Sequence, residues 1–149
     1  MAEQVCVDAS LVIKWALPED YGDLADTFAS ECQLNGIAFI APDFVFAEVS
    51  NGIRRQVVRQ LIPVMDGLAA IAAVTRIPIK RYTCYDLYTD AWRIAQTYGR
   101  PSLYDCYYLA LAEQRGCQFW TADEKFINAI GNHRGIRHIR DFTPGSLES

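Results

Sequence analysis

The sequence is poor in histidine, has no paired cysteines and lacks any long apolar run. Only 2 histidines occur in 149 residues, and none of the 5 cysteines forms a Cys-x-x-Cys pair, so no ligand set for zinc is present. The odd number and wide spacing of the cysteines are typical of reduced thiols. No apolar stretch approaches the ~18 residues of a membrane span, and the N-terminus has no signal-peptide pattern. We therefore expect a cytoplasmic protein that does not associate with membranes.

The chain also lacks an excess of positive charge. It has 14 Lys and Arg residues against 18 Asp and Glu residues, which gives a formal net charge of −4. This balance excludes a general electrostatic attraction to nucleic acid. The length and the 51% hydrophobic fraction indicate a single domain over residues 1–149. We expect residues 142–149 to form a frayed tail.

Short apolar segments typical of strands alternate along the chain with segments of helical periodicity. The predicted strands cover residues 5–7, 37–41, 77–79, 117–121 and 136–139, and Pro78 indicates that the third begins or edges a sheet. The predicted helices begin near residues 10, 20, 43, 63, 85, 103 and 123. This alternation predicts an α/β fold with a three-layer α/β/α architecture. About seven helices cover the two faces of a parallel sheet of about five short strands.

Four acidic residues fall at the carboxyl edge of this predicted sheet, where ligands bind in such folds. Asp8 ends the first strand, and Asp123 follows the strand that ends at Thr121. Asp105 lies in the first turn of a helix that starts at the same edge. Glu48 lies in the second turn of its helix, and its long side chain leans back toward the helix N-terminus. We expect the four carboxylates to converge.

Three of these acids also have an ordinary structural interpretation. Asp8 suits a turn at a strand end, Asp123 suits a helix N-cap, and Asp105 forms a capping-box pattern with Ser102. Glu48 fits such an interpretation less well, because its neighbours are apolar and no Lys or Arg lies within four positions.

Carboxylates that lie close together repel one another unless a proton or a cation lies between them, and oxygen ligands favour Mg²⁺ or Mn²⁺. Such ions suit the hydrolysis of phosphodiesters.

Four motifs in the chain occur in the order and spacing of a known family. They are DASLVIKW from Asp8 with Pro18-Glu19, APD and AEVSN over residues 41–51, SLYDCYYLALA from Ser102, and TAD from Thr121. Together they resemble the motifs of PIN-domain ribonucleases, in particular the toxins of VapBC-type toxin–antitoxin pairs. The resemblance covers residues 5 to 126, most of the chain.

The resemblance implies a Mg²⁺- or Mn²⁺-dependent endoribonuclease. The residues that it implies as catalytic and metal-binding are Asp8, Glu48, Asp105 and Asp123. It places supporting polar groups at Ser10, Asn51 and Thr121. It also implies a homodimer, inhibited by a cognate antitoxin protein, that acts on RNA as its substrate.

Contacts with RNA must come from local groups, because the overall charge is negative. Candidate phosphate contacts are Lys14, Arg54, Arg55, Arg59 and the stretch 134–140, although a solvated helix face explains the arginines of residues 54–59 equally well. Tyr104 is a candidate for stacking on an unpaired base.

Two further interpretations of the sequence stay open. One is a PIN-like scaffold that binds partners without catalysis. The other is a metal-dependent ligand-binding module, since the sequence from Asp8 begins like a D-x-S-x-S site, with Val12 in place of its second serine.

Overall fold

The computed structural model describes residues 3–131 and 133–147, in which strands and helices alternate as the sequence predicts. The strands are β1 (Gln4–Val7), β2 (Ala38–Pro42), β3 (Ile79–Tyr82), β4 (Phe119–Thr121) and β5 (Ile136–His138). The helices are α1 (Ala9–Val12), α2 (Gly22–Leu34), α3 (Val45–Val58), α4 (Val64–Val74), α5 (Tyr88–Tyr98), α6 (Tyr104–Arg115) and α7 (Glu124–Ile130). Short 3₁₀ turns cover Ile13–Trp15, Tyr85–Leu87 and Ile139–Asp141. No helix in these described ranges is long and apolar enough to cross a bilayer.

The five strands form one sheet in the order β3-β2-β1-β4-β5, and all four pairings are parallel. Cys6 of the central strand pairs with Ile40 of β2 and Phe119 of β4. The predicted parallel sheet is confirmed, and β3 is an edge strand, as Pro78 indicates. Its predicted bounds are wrong, because β3 begins after this proline, which has no backbone N–H to donate to a ladder.

Helices cover both faces of the sheet, because neighbouring residues of a strand point to opposite sides. On one face, the Phe119 ring stacks on Tyr108 of α6, with ring centroids 5.7 Å apart. On the other face, Trp120 packs against Phe28 of α2, at 4.9 Å. The predicted three-layer α/β/α architecture is therefore confirmed.

Helix α6 is the central helix of one layer. Its residues from Cys106 to Ala112 are all buried, because this segment is apolar around its whole circumference. The helix ends at Gly116, whose φ of 63° lies in the left-handed region that glycine adopts without strain. The chain then turns back and enters β4 from the amino edge of the sheet.

The segment after β5 packs against the body of the domain. The Phe142 ring is buried and lies 5.3 Å from the Phe28 ring, and the Gly145 backbone N–H donates a hydrogen bond to Glu31 Oε1 at 2.7 Å. Leu147 is partly buried against the core. The prediction of a frayed tail is therefore wrong for these residues, because their apolar side chains extend the core beside α2. Residues 148 and 149 lie outside the described residues.

Candidate active site

Two hydroxyl groups hold the Asp8 carboxylate at the point where β1 and β4 end side by side. Ser10 Oγ donates to Asp8 Oδ1 at 2.7 Å, and Thr121 Oγ1 donates to Asp8 Oδ2. The Leu11 backbone N–H adds a third hydrogen bond, to Oδ1 at 3.1 Å. Each hydroxyl has a single proton and donates it to Asp8, so the two hydrogen bonds fix the orientation of the carboxylate. Ser10 and Thr121 therefore both contact Asp8, and the supporting role that the resemblance implies for them stays a prediction.

The same hydroxyls also bind the segment that carries Asp123. Ser10 Oγ accepts a hydrogen bond from the Ala122 N–H at 2.9 Å, and Thr121 Oγ1 accepts one from the Asp123 N–H at 3.0 Å. Asp123 in turn caps α7, since its Oδ1 accepts from the Phe126 N–H at 3.1 Å. The N-cap interpretation of Asp123 is confirmed, and Asp8 caps α1 in the same way. Both capping residues line the cavity at this edge of the sheet.

Asp105 lies at the N-terminus of α6, near the same edge of the sheet. The capping box predicted with Ser102 does not form among the described residues, where Ser102 Oγ instead accepts from the Tyr104 N–H. The nearest cation to Asp105 is Arg100, whose Nη2 lies 3.8 Å from Asp105 Oδ2. This separation exceeds a hydrogen bond, so Arg100 acts on Asp105 mainly through its charge.

Glu48 reaches the site from the first turn of α3 and not from the predicted second turn, because the helix begins at Val45. A tyrosine holds it there. Tyr108 of α6 donates its hydroxyl proton to Glu48 Oε1 at 2.6 Å. Tyr108 is not among the residues predicted from the sequence, and it is otherwise buried like a core residue. One signal was available, because Tyr108 follows Asp105 by three residues and therefore lies on the same face of α6.

All four predicted acids line one cavity of about 460 Å³. Ser10 and Asn51 also line it, as do three basic residues, Lys14, Arg55 and Arg59. Asn51 and Arg55 of α3 and Arg59, which caps its C-terminus, form a stripe, because four residues make about one helical turn. The exposed Arg54 is not among the lining residues, since its side chain points about 100° away from that of Arg55 around the helix. Residues 134–140 do not line the cavity in the described structure either, so the predicted RNA contacts of Arg54 and of these residues would have to lie outside the cavity.

Lys14 differs from the arginines because its ammonium is already paired. Lys14 Nζ lies 3.3 Å from Glu19 Oε1, and Gln56 Nε2 donates to Glu19 Oε2 at 2.6 Å. Glu19 and Gln56 both line the cavity and were missed at the sequence level. No spacing rule pairs Glu19 with a residue 37 positions later. A phosphate contact of Lys14 would compete with Glu19, whereas Arg55 and Arg59 have no ion pair among the described residues.

Asp8, Glu48 and Asp105 hold their protons more tightly than exposed acids do. The pKa of Asp8 is raised from 3.8 to about 7, mainly by burial and to a smaller extent by the charge of Asp105, against the opposing effect of its hydrogen bonds. Burial likewise raises the pKa of Glu48, opposed by the Tyr108 hydroxyl. The pKa of Asp105 is raised by burial and by Asp123, and lowered by Arg100. When these acids are ionised, Asp105 repels Asp8 and Asp123 repels Asp105, and a bound cation would relieve this repulsion.

The donor set fits a hard divalent cation, because carboxylates provide only oxygen ligands. Within residues 3–131 and 133–147, no three His, Cys, Asp or Glu side chains are already grouped closely enough to hold a metal ion. The acids thus share a cavity without enclosing a common point. Metal binding by Asp8, Glu48, Asp105 and Asp123 stays a prediction.

Comparisons with known proteins agree with this architecture. A VapC ribonuclease of Mycobacterium bovis, Mb0985, is 34% identical over 82 residues, which cover 55% of this chain and 62% of that protein. The chain thus spans less than two thirds of the length of this relative. Ribonuclease VapC12 of Mycobacterium tuberculosis is 28% identical over 135 residues, covering 91% of this chain and 98% of that protein.

A solved structure shares the fold. It is VapC20 of Mycobacterium tuberculosis, a toxin that cleaves the sarcin–ricin loop, with a TM-score of 0.62 and 18% identity over 84% of this chain and 94% of VapC20. The family model of the PIN domain matches residues 5–131, which include all four acids of the cavity. The chain belongs to the PIN domain family.

Proposed function

We propose that the chain is a divalent-metal-dependent endoribonuclease that hydrolyses RNA phosphodiesters and acts as the toxin of a toxin–antitoxin pair. One observation carries the proposal: carboxylates from four separate segments line a single cavity at the carboxyl edge of the sheet. Three of them have raised pKa values, as expected where acids are brought together for function rather than for stability. The VapC ribonucleases among the relatives support the same activity.

Mg²⁺ or Mn²⁺ is the proposed cofactor, with Asp8, Glu48, Asp105 and Asp123 as its protein ligands. When bound, the ion would neutralise the acids, activate water and stabilise charge on the phosphate oxygens. The residues around these acids hold them in place for this role. Ser10 and Thr121 orient Asp8 through two hydrogen bonds.

The basic side of the cavity is proposed to hold the RNA backbone. Arg55 lies in the last turn of α3 and Arg59 caps its C-terminus, both on the cavity wall that also carries Asn51. Two guanidinium groups at this spacing suit neighbouring phosphates, while Asn51 can donate to a phosphate or sugar oxygen. This local positive charge compensates for the negative charge of the whole chain.

Protein partners are also proposed, namely a second copy of the chain and a cognate antitoxin. Several large apolar side chains are exposed on α4 and α5, a pattern that marks interaction surfaces. They are Val64, Met65, Leu68, Tyr88 and Trp92. The VapC relatives support a toxin that works with an antitoxin.

The test of the proposal is cleavage of a labelled single-stranded RNA pool by the purified protein with Mn²⁺, with Mg²⁺ and with EDTA. We expect cleavage that stops with EDTA and falls by at least about 100-fold in Asp8→Asn, which removes a charged ligand while keeping its shape. The matched control is Asp66→Asn, because Asp66 is exposed in the first turn of α4 and does not line the cavity.

Two results would contradict the proposal. One is equal cleavage by Asp8→Asn and the wild type, which would assign the activity to a contaminant or to another site. The other is a wild-type protein that neither cleaves RNA nor binds Mn²⁺ in calorimetry, which would support the partner-binding scaffold instead.

A further inference from the structure

The Tyr108 ring is held in place by packing on several sides. It is stacked on Phe119 with an interplanar angle of 9°, and it meets the Phe44 ring edge-on at 5.5 Å. The backbone of the same residue is fixed as well, since the Cys6 thiol donates to the Tyr108 carbonyl at 3.5 Å. The side chain is 1% exposed. The position of its hydroxyl is therefore set by the core of the domain and not by the groups of the cavity.

This hydroxyl has no role in packing. The rings around Tyr108 are apolar, so a phenylalanine would fill the same space without a buried polar group to satisfy. Burying a hydroxyl is unfavourable unless it finds a hydrogen-bond partner. Its partner is Glu48 Oε1, at 2.6 Å. The functional value of the hydroxyl must therefore lie in what it does to Glu48.

Glu48 needs such a partner more than Asp8 and Asp123 do. It reaches the cavity on a long, flexible side chain, and the charge of Asp105 repels it. Asp8 and Asp123 are short and are fixed by backbone N–H groups, whereas among the described residues Glu48 has the Tyr108 hydroxyl alone. The second oxygen, Oε2, accepts no hydrogen bond within residues 3–131 and 133–147 and is left for another ligand.

We infer that Tyr108 is a positioning residue, which holds the Glu48 carboxylate in the cavity so that its second oxygen can bind the divalent cation. The inference rests on the proposed function, because it assigns a role within the same site. Helix α6 then contributes twice, since it carries Asp105 directly and fixes Glu48 through Tyr108. Partners of this kind typically change metal affinity 10- to 100-fold when they are removed.

The test compares Tyr108→Phe with Tyr107→Phe, measuring Mn²⁺ affinity by calorimetry and RNA cleavage by steady-state kinetics. Tyr107 is the adjacent tyrosine of α6, is also buried, and makes no hydrogen bond to Glu48. We expect Tyr108→Phe to weaken Mn²⁺ binding by about 10-fold and to lower kcat at fixed Mn²⁺, with an unchanged KM for RNA. Tyr107→Phe should match the wild type in all three quantities.

A double-mutant cycle with Glu48→Gln separates positioning from general damage to the fold. If Tyr108 acts through Glu48, adding Tyr108→Phe to Glu48→Gln should weaken Mn²⁺ binding no further. If the wild type cleaves RNA and Tyr108→Phe binds Mn²⁺ as tightly as the wild type does, the inference is overturned and the proposed function still stands. An additional loss in the Glu48→Gln background would also overturn it. A wild type that binds no Mn²⁺ and cleaves no RNA would overturn the proposed function itself.

Discussion

The Asp8 carboxylate should make the metal-free protein less stable as the pH rises. Burial raises the pKa of Asp8 from 3.8 to about 7 in the folded state. The folded chain therefore holds this proton more tightly than the unfolded chain, and the free energy of unfolding falls between about pH 4 and pH 7. A pKa difference of about 3 corresponds to about 4 kcal/mol, which is the ceiling for the stability lost to this group.

Asp8→Asn removes the charge and can keep every hydrogen bond. The new amide oxygen accepts from Ser10 Oγ and from the Leu11 N–H, as Oδ1 does now. The new NH₂ group donates to Thr121 Oγ1, which turns its own proton toward Ser10 Oγ, 3.2 Å away. The substitution therefore tests the burial of charge with little change in packing or hydrogen bonding.

The assay is urea unfolding in EDTA at pH 5 and pH 8 for the wild type, Asp8→Asn and the control Asp66→Asn. We expect Asp8→Asn to be more stable than the wild type at pH 8 by up to about 4 kcal/mol, with a shallower pH dependence. The dependence should not vanish, because the pKa values of Glu48 and Asp105 are also raised by burial. If Asp8→Asn were less stable at pH 8, or kept the full wild-type slope, the assignment of a buried, repelled carboxylate would be wrong.

Two further predictions concern contact with RNA. Arg55→Gln should raise the KM for RNA and reduce its salt dependence, whereas Arg54→Gln, one residue earlier and outside the cavity, should change neither, as measured by cleavage at two salt concentrations. Tyr104→Ala should raise the KM for single-stranded RNA by about 10-fold without lowering kcat, because Tyr104 is 58% exposed beside Asp105 and stacking on an aromatic ring contributes about 1–3 kcal/mol per base. Equal effects of the two arginine variants, or an unchanged KM in Tyr104→Ala, would contradict these assignments.

The sheet and the placement of the acids could be predicted because both follow from local patterns. Each buried strand is a short apolar run, and each acid follows a strand or lies near the start of a helix at the carboxyl edge. Parallel strands bring all their carboxyl ends to one edge, so chain order alone locates Asp8 and Asp123. Glu48 could be included among the predicted site residues because no Lys or Arg lies within four positions of it to form a surface ion pair.

The contacts that complete the cavity could not be predicted, because they join segments that no periodicity relates. Tyr108 meets Glu48 across 60 positions, and Glu19 meets Gln56 across 37. Whether Arg54 or Arg55 faces the cavity depends on how α3 is rotated about its axis, because neighbouring residues of a helix point about 100° apart. The sequence predicts a frayed tail from residue 142 onward, although the Phe142 ring packs on Phe28, more than 100 positions earlier in the chain.

The structural and catalytic interpretations of Asp8 and Asp123 are compatible, although the sequence presents them as alternatives. A carboxylate has two oxygens, and a helix cap uses few of their lone pairs. The strand order reverses at β1, so the chain leaves β1 and β4 in different directions and opens a cleft between their ends. The helices that follow these strands must be capped at that cleft. An acid is among the best caps, and here both capping acids line the same cavity. The same hydroxyls, Ser10 and Thr121, then join the two strand ends and orient the acids, so the fold and the site depend on one set of hydrogen bonds.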